Sequence, residues 1–216
     1  MTKKICTLFV MLLLAFVLLT ACRSDGLRGP ADAAEISANE QIHRMLFEMQ
    51  TFRAVATVEY RSNRGVNVYE TVQHARITGE YRIEVTAPQE VAGSVTASDG
   101  QQILQFNQRV NGRVSLMVQE TQERSEIFLT SFILNYKACQ DVSVSVADMD
   151  EGVRTVLEAN IPGNHPYLTT SKLWVDNETL IPVKLIIFDA DGTERIVVTY
   201  HIFEYNVVLE DSMFTV

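Results

Sequence analysis

Disulfide pairing, metal capture and nucleic-acid binding all lack their usual raw material in this chain. Cysteine occurs only at Cys6, Cys22 and Cys139, with none of the paired spacings that hold zinc. His43, His74, His165 and His201 are scattered rather than set at ligand spacing. Basic residues number 18 against 27 acidic ones, for a formal net charge of −9. That excess opposes both a nucleic-acid backbone and flat contact with anionic lipid. No phosphate-cradling glycine loop is present, and Ala92-Gly93-Ser94-Val95 fails the Gly-x-Ser-x-Gly pattern of a nucleophile elbow. Asp189-Ala190-Asp191-Gly192 has the outline of a calcium loop. Aligning its glycine puts Ile187 and Val198 where the first and last carboxylates belong, so it reads as a hairpin turn. Glu70 and Glu80 read as solvated strand carboxylates rather than an acid–base pair. Arg53, Arg61, Arg64 and Arg76 read as charged outer faces of strands. These absences predict no enzyme, no metal and no cofactor.

What is present begins at the N-terminus. Lys3 and Lys4 precede an uncharged stretch from Ile5 to Ala21, and Leu19-Thr20-Ala21-Cys22 closes it. This resembles the signal of a bacterial lipoprotein. The resemblance implies cleavage before Cys22, a diacylglycerol on its sulfur, and a protein held by lipid at the outer face of the cell membrane. A leader is removed before the fold matters, so residues 1–21 stand apart from fold reasoning. No later apolar run is long enough to span a bilayer, which takes about 20 residues. Loss of Lys3 and Lys4 takes the formal charge from −9 to about −11, so membrane contact falls to the lipid itself. Cys139 is then the one remaining thiol and reads as a buried, inert residue.

Residues 22–34 mix Gly, Pro and charge without period and read as a flexible tether. Ser37 and Glu40 have capping-box spacing, and Ile42, Met45, Leu46 and Met49 share one helical face. From Phe52 the period becomes two. Ala54, Ala56, Val58 and Tyr60 alternate with polar residues, and Val66, Val68 and Val72 follow the turn at Asn63-Arg64-Gly65. Asp99-Gly100 predicts a tight hairpin between antiparallel strands. Glu123 to Ala138 suits helical spacing better than alternation, and strands then resume to Phe203. In Val183–Phe188 and Ile196–Val198 both phases are largely apolar, which predicts cover on both faces by a helix or another chain. The expectation is a mainly β, α+β domain over residues 35–216.

Several segments carry a closer likeness. They are Val95–Gln102, Phe132-Ile133-Leu134-Asn135-Tyr136, Lys172–Asp176, Leu180–Lys184, Phe203-Glu204-Tyr205-Asn206 and Asp211-Ser212-Met213-Phe214. Together with the lipoprotein signal they resemble the LolA-like lipoproteins, and within them the GerS-type germination lipoproteins of spore-forming Firmicutes. The resemblance implies a half-open antiparallel β-barrel covered by helices. It also implies a non-enzymatic partner of a cell-wall amidase in spore cortex modification, acting at the cell membrane or forespore envelope. The alternative it offers is binding, sorting or sensing of acyl chains at the membrane surface. A sheet with free edges also admits a homodimer. No motif assigns contact residues for a ligand or partner.

Overall fold

The computed structural model describes residues 30–107, 112–117, 126–163 and 165–215. Two compact units divide the chain, Met1–Glu35 and Ile36–Val216, and the sheet belongs to the second. Helix α1 (Pro30–Glu48) leads into β1 (Thr51–Ser62), β2 (Gly65–Arg76), β3 (Tyr81–Ala87), β4 (Ser94–Ser98), β5 (Gln102–Asn107) and β6 (Gly112–Met117). Helix α2 (Leu129–Ala138) follows, then β7 (Ser143–Met149), β8 (Gly152–Asn160), β9 (Thr170–Asp176), β10 (Pro182–Phe188) and β11 (Glu194–Tyr205). A 3-10 turn at Asp211–Phe214 ends the described chain.

The strands form one sheet in the order β6-β5-β4-β3-β2-β1-β11-β10-β9-β8-β7, and each neighbouring pair is antiparallel. The chain walks out along one wing to β6 and restarts at the far edge with β7. It then walks back until β11 meets β1. β1 and β11 form a spine, with Val58 opposite Val198 and Tyr60 opposite Ile196. The edges β6 and β7 stay separate, so the barrel is half-open, as the sequence leads one to expect.

Strand alternation sets which side chains face inward. On β1 these are Phe52, Ala54, Ala56 and Val58, all essentially buried. Ile42, Leu46 and Met49 of α1 join them, as do Leu129, Phe132, Ile133 and Tyr136 of α2, in one core cluster. The alanines at 54, 56, 75 and 159 leave the volume that these larger helix side chains fill. Phe132 and Tyr136 of α2 lie 5.8 Å apart, and Tyr136 reaches the rings of His43 at 5.7 Å and Phe47 at 6.0 Å on α1.

Three expectations need correction. α1 starts at Pro30, so residues 30–34 are helical rather than tether, and Ser37 and Glu40 lie inside the helix. Proline suits a first helical position and Ala31, Ala33 and Ala34 are strong helix formers, yet such a run carries no amphipathic period. The described part of α2 begins at Leu129, after a turn at Glu126–Phe128. The outer-face apolar residues need no second chain. Ile186 and Val197 are register partners and are 3% and 2% exposed within this chain alone. Lys172, the other register neighbour of Ile186, lies alongside. Its ammonium reaches Glu158 at 3.0 Å and the Phe188 ring at 5.6 Å.

Candidate functional site

A cavity of about 850 Å³ opens on the inner side of the first wing. Its deep wall is apolar, with Val58, Tyr81, Ile127, Phe128, Leu168 and Ile196 all buried. These residues come from β1, β3, the turn before α2, the loop before β9 and β11. Tyr81 and Phe128 pack at 4.3 Å between ring centres. Thr71 is also buried in the wall, and its hydroxyl donates to the Ala56 carbonyl at 2.9 Å.

The mouth is polar. One lip is the β1–β2 turn with Asn63 and Arg64, and the other is the loop carrying His165 and Tyr167. The loop is held by backbone bonds from Ala190 N to Pro166 O at 3.1 Å and from Thr169 N to Phe188 O at 2.8 Å. Arg195 joins the two lips. Its guanidinium donates to Asn63 Oδ1 at 3.4 Å, lies 5.2 Å from the Tyr167 ring centre, and is bound at 2.6 Å by Asp189. The same Asp189 accepts the amides of Thr193 at 2.8 Å and Asp191 at 3.0 Å. The Thr193 amide first, then Arg195, holds this carboxyl below the usual carboxylate range. Asp189-Ala190-Asp191-Gly192 is therefore a hairpin turn, as its sequence suggests.

The four arginines singled out in the sequence separate. Arg53 pairs with Glu204 at 2.7 Å, while Arg76 pairs with Asp211 at 2.7 Å and lies 4.7 Å from the ring centre of the buried Phe214. Arg61 pairs with Glu59 at 2.8 Å and with Glu194, and its hydrogen bond to Glu59 first raises its pKa. Arg61 and Arg64 line the cavity, and among the described residues Arg64 has no carboxylate partner. Sequence reasoning missed Arg195, because only the fold brings it to Asn63. Its sole signal was its place directly after a tight turn.

The histidines are equally dispersed. His43 packs against Phe47 and Tyr136, and burial lowers its pKa. His74 sits between Arg53 and Arg82 in the sheet register, and burial first, then these arginines, lowers its pKa. His201 meets the Thr57 hydroxyl at 2.6 Å. Glu70 accepts from Thr57 at 3.0 Å and Glu80 pairs with Arg76 at 3.5 Å, so the two carboxylates serve different partners. Among the described residues no group of three or more His, Cys, Asp or Glu is placed to hold a metal ion. Cys139 is half-buried rather than buried, with its thiol donating to Asp141 O at 3.4 Å. Cys22 lies outside the described residues, as does all of 1–29. Among the described residues no helix is long and apolar enough to cross a membrane.

The segments that carry the family likeness prove to be builders of turns and joints. In Phe203-Glu204-Tyr205-Asn206, Phe203 stacks on Phe52 at 5.2 Å and the Tyr205 hydroxyl donates to Leu180 O at 2.8 Å. Asn206 takes a left-handed φ of 54°, which asparagine tolerates better than most residues. Its side-chain oxygen accepts the Gln50 amide at 2.8 Å, and its own amide donates to Thr51 O at 2.7 Å. Asp99 accepts the amides of Gln101 and Gln102, each at 2.9 Å, across the turn that Gly100 makes with φ 88°. Asn135 of the α2 segment donates to Glu126 at 3.0 Å, and burial pushes the Glu126 carboxyl up.

Among solved structures the chain is similar to an uncharacterized conserved protein from Thermus thermophilus, at 14% identity and a TM-score of 0.52, with 82% of this chain and 92% of that one covered. That likeness speaks to the fold alone. It is also similar to a chain in the complex of the CwlD amidase with the GerS lipoprotein from Clostridioides difficile, at 26% identity and a TM-score of 0.48, over 79% of this chain and 95% of that one. A LolA superfamily protein, NE2245 from Nitrosomonas europaea, is similar at 15% identity and a TM-score of 0.45, over 83% and 96% of the two chains. No curated protein matches the chain. Residues 3–214 match the family described as sporulation protein YdcC-like, and the chain belongs to that family.

Proposed function

We propose that this protein is a lipid-anchored, non-enzymatic recognition module of GerS type that binds a cell-wall amidase in spore cortex modification. The observation that carries this reading is the match to a sporulation family along almost the whole chain. The GerS-like segments at Phe132–Tyr136 and Phe203–Asn206 support it from the sequence side. The lipid on Cys22 holds the module at the outer face of the membrane. Tethering converts a search in volume into a local one and raises the effective concentration of the partner. Affinity-tagged protein, cross-linked in sporulating cells, should bring down a cell-wall amidase, and its deletion should reduce cortex modification. Recovery of no amidase together with an unchanged cortex would overturn the reading. Cys22→Ala should release the protein or leave it unprocessed, as followed by membrane fractionation. A variant that stays processed and membrane-bound would refute the anchor.

A second reading is favoured by the cavity. An apolar hollow of about 850 Å³ with a polar mouth falls in the range of small-ligand sites. On this reading the module binds or senses an acyl chain at the membrane surface. Native mass spectrometry of the Cys22→Ala full chain, whose own lipid cannot compete, should show one acyl ligand retained. A chain that takes up none argues against it.

A further inference from the structure

Resting on the lipid-binding reading, we propose that the cavity takes a single-chain amphiphile with a compact anionic head, which Arg64 holds at the mouth beside Arg195. The first argument is charge. Carboxylates outnumber cations in this chain by 27 to 18, yet among the described residues none lines the cavity, while Arg61, Arg64 and Arg195 do. A wall drawn at random from this surface would be acidic.

The second argument is the order of groups from floor to rim. The floor is buried and apolar, with Val58, Phe128 and Ile196. The rim is exposed and carries the guanidinium of Arg64 and the amides of Asn63 and Asn67. An acyl chain fits the first zone and an anion the second. A neutral head would gain nothing from the Arg64 charge, and a cationic head would be repelled.

The third argument separates the arginines by duty. Arg61 is committed to Glu59 and Glu194. Arg195 is committed to Asp189 and braces the two lips through Asn63 and Tyr167. Arg64 sits at the exposed tip of the β1–β2 turn without a carboxylate among the described residues. It is the cation left for a ligand, and the fork of a guanidinium suits a carboxylate or phosphate.

The test measures binding to the Cys22→Ala full chain of palmitate, hexadecyl phosphate, hexadecanol and hexadecyltrimethylammonium, by displacement of a fluorescent fatty acid. Palmitate and hexadecyl phosphate should bind at least tenfold tighter than hexadecanol, with the ammonium weakest. Shortening palmitate should cost about fourfold per buried methylene. Arg64→Glu should lose tenfold or more for palmitate and leave hexadecanol unchanged, and Arg64→Lys should recover part of the loss. Ile83→Trp, which narrows the cavity at its apolar wall, should weaken both, with melting temperatures confirming that the variants fold. Equal binding of palmitate and hexadecanol, indifferent to Arg64→Glu, would overturn the head-group selection and leave the lipid reading intact. Binding of no probe would overturn both. Palmitate affinity unchanged by Ile83→Trp, or full displacement by inorganic phosphate, would place the ligand elsewhere and overturn the proposal.

Discussion

The two wings of the sheet use their inner faces differently. On the second wing Leu157, Leu173, Val175, Leu185 and Ile187 are all fully buried. Helix α2 packs on β8 there and contributes Phe132 and Ile133 to the same core. On the first wing the inner row turns polar, with Thr71 on β2, Thr96 on β4 and Gln105 on β5 around a hollow and Gln73 of β2 opposite its wall residue Ile83. Gln73 is fully buried, and among the described residues its side-chain oxygen finds no partner. A buried unpaired oxygen costs stability that an apolar side chain would not. The contrast points to a division of labour. One wing is filled by side chains and the other leaves a hollow.

The largest expected effect sharpens this contrast in the core. Leu173→Ala on the filled wing should lose about 3–5 kcal/mol, because truncation there opens a cavity that rigid neighbours cannot close. Ile83→Ala on the hollow wing removes similar atoms from a wall already facing open space and should lose about 1 kcal/mol. Urea denaturation checks both, as a shift in midpoint without a change in slope. Similar losses at the two positions would break the comparison.

A smaller effect belongs to the joint that ties the spine together. Asn206→Ala should lose about 1–2 kcal/mol, since alanine is strained at a φ of 54° and cannot accept the Gln50 amide. Asn206→Gly should lose less, because glycine keeps the backbone free of strain and forfeits only the cap. Thermal melting of the two variants separates these contributions.

The smallest effect is a pH dependence at the edge of the hollow. Burial raises the folded-state pKa of Glu126 above its unfolded value, against a weaker opposing bond from Asn135. The stability contribution of this group is full below the ordinary carboxylate range and is lost as pH rises through the raised value. Glu126→Gln should therefore melt higher than the parent at pH 7.5, and the difference should shrink as pH falls toward 4. A gap that instead widens with acidification would contradict the assignment.

Most strands were legible in the sequence because their signals are local. Alternation at Ala54, Ala56 and Val58 and turns at Asp99-Gly100 and Asp191-Gly192 placed the hairpins that β1, β4–β5 and β10–β11 make. The start of α1 was not legible, since a run of alanines has helix propensity without a period. Cover over Ile186 and Val197 comes from within this chain, where the sequence allowed a helix or a second chain. Alternation cannot reveal that Lys172, on a neighbouring strand, stands opposite Ile186. The cavity was least legible of all. Its wall brings Val58, Phe128 and Ile196 together from distant parts of the chain, and a hollow is a property of what fails to fill it. Arg64 was visible only as one of four arginines clustered in the sequence, which read as charged outer faces of strands. The segments that did reveal the family are turn and joint residues such as Asn206 and Asp99, which is why they announced a fold and no contact surface.

Native-state hydrogen exchange followed amide by amide tests the division of labour most directly. The filled wing should hold its β9 and β10 amides until global unfolding, while β4 and β5 beside the hollow should open at distinctly lower free energy. Protection of β4 and β5 equal to or above that of β9 and β10 would contradict it.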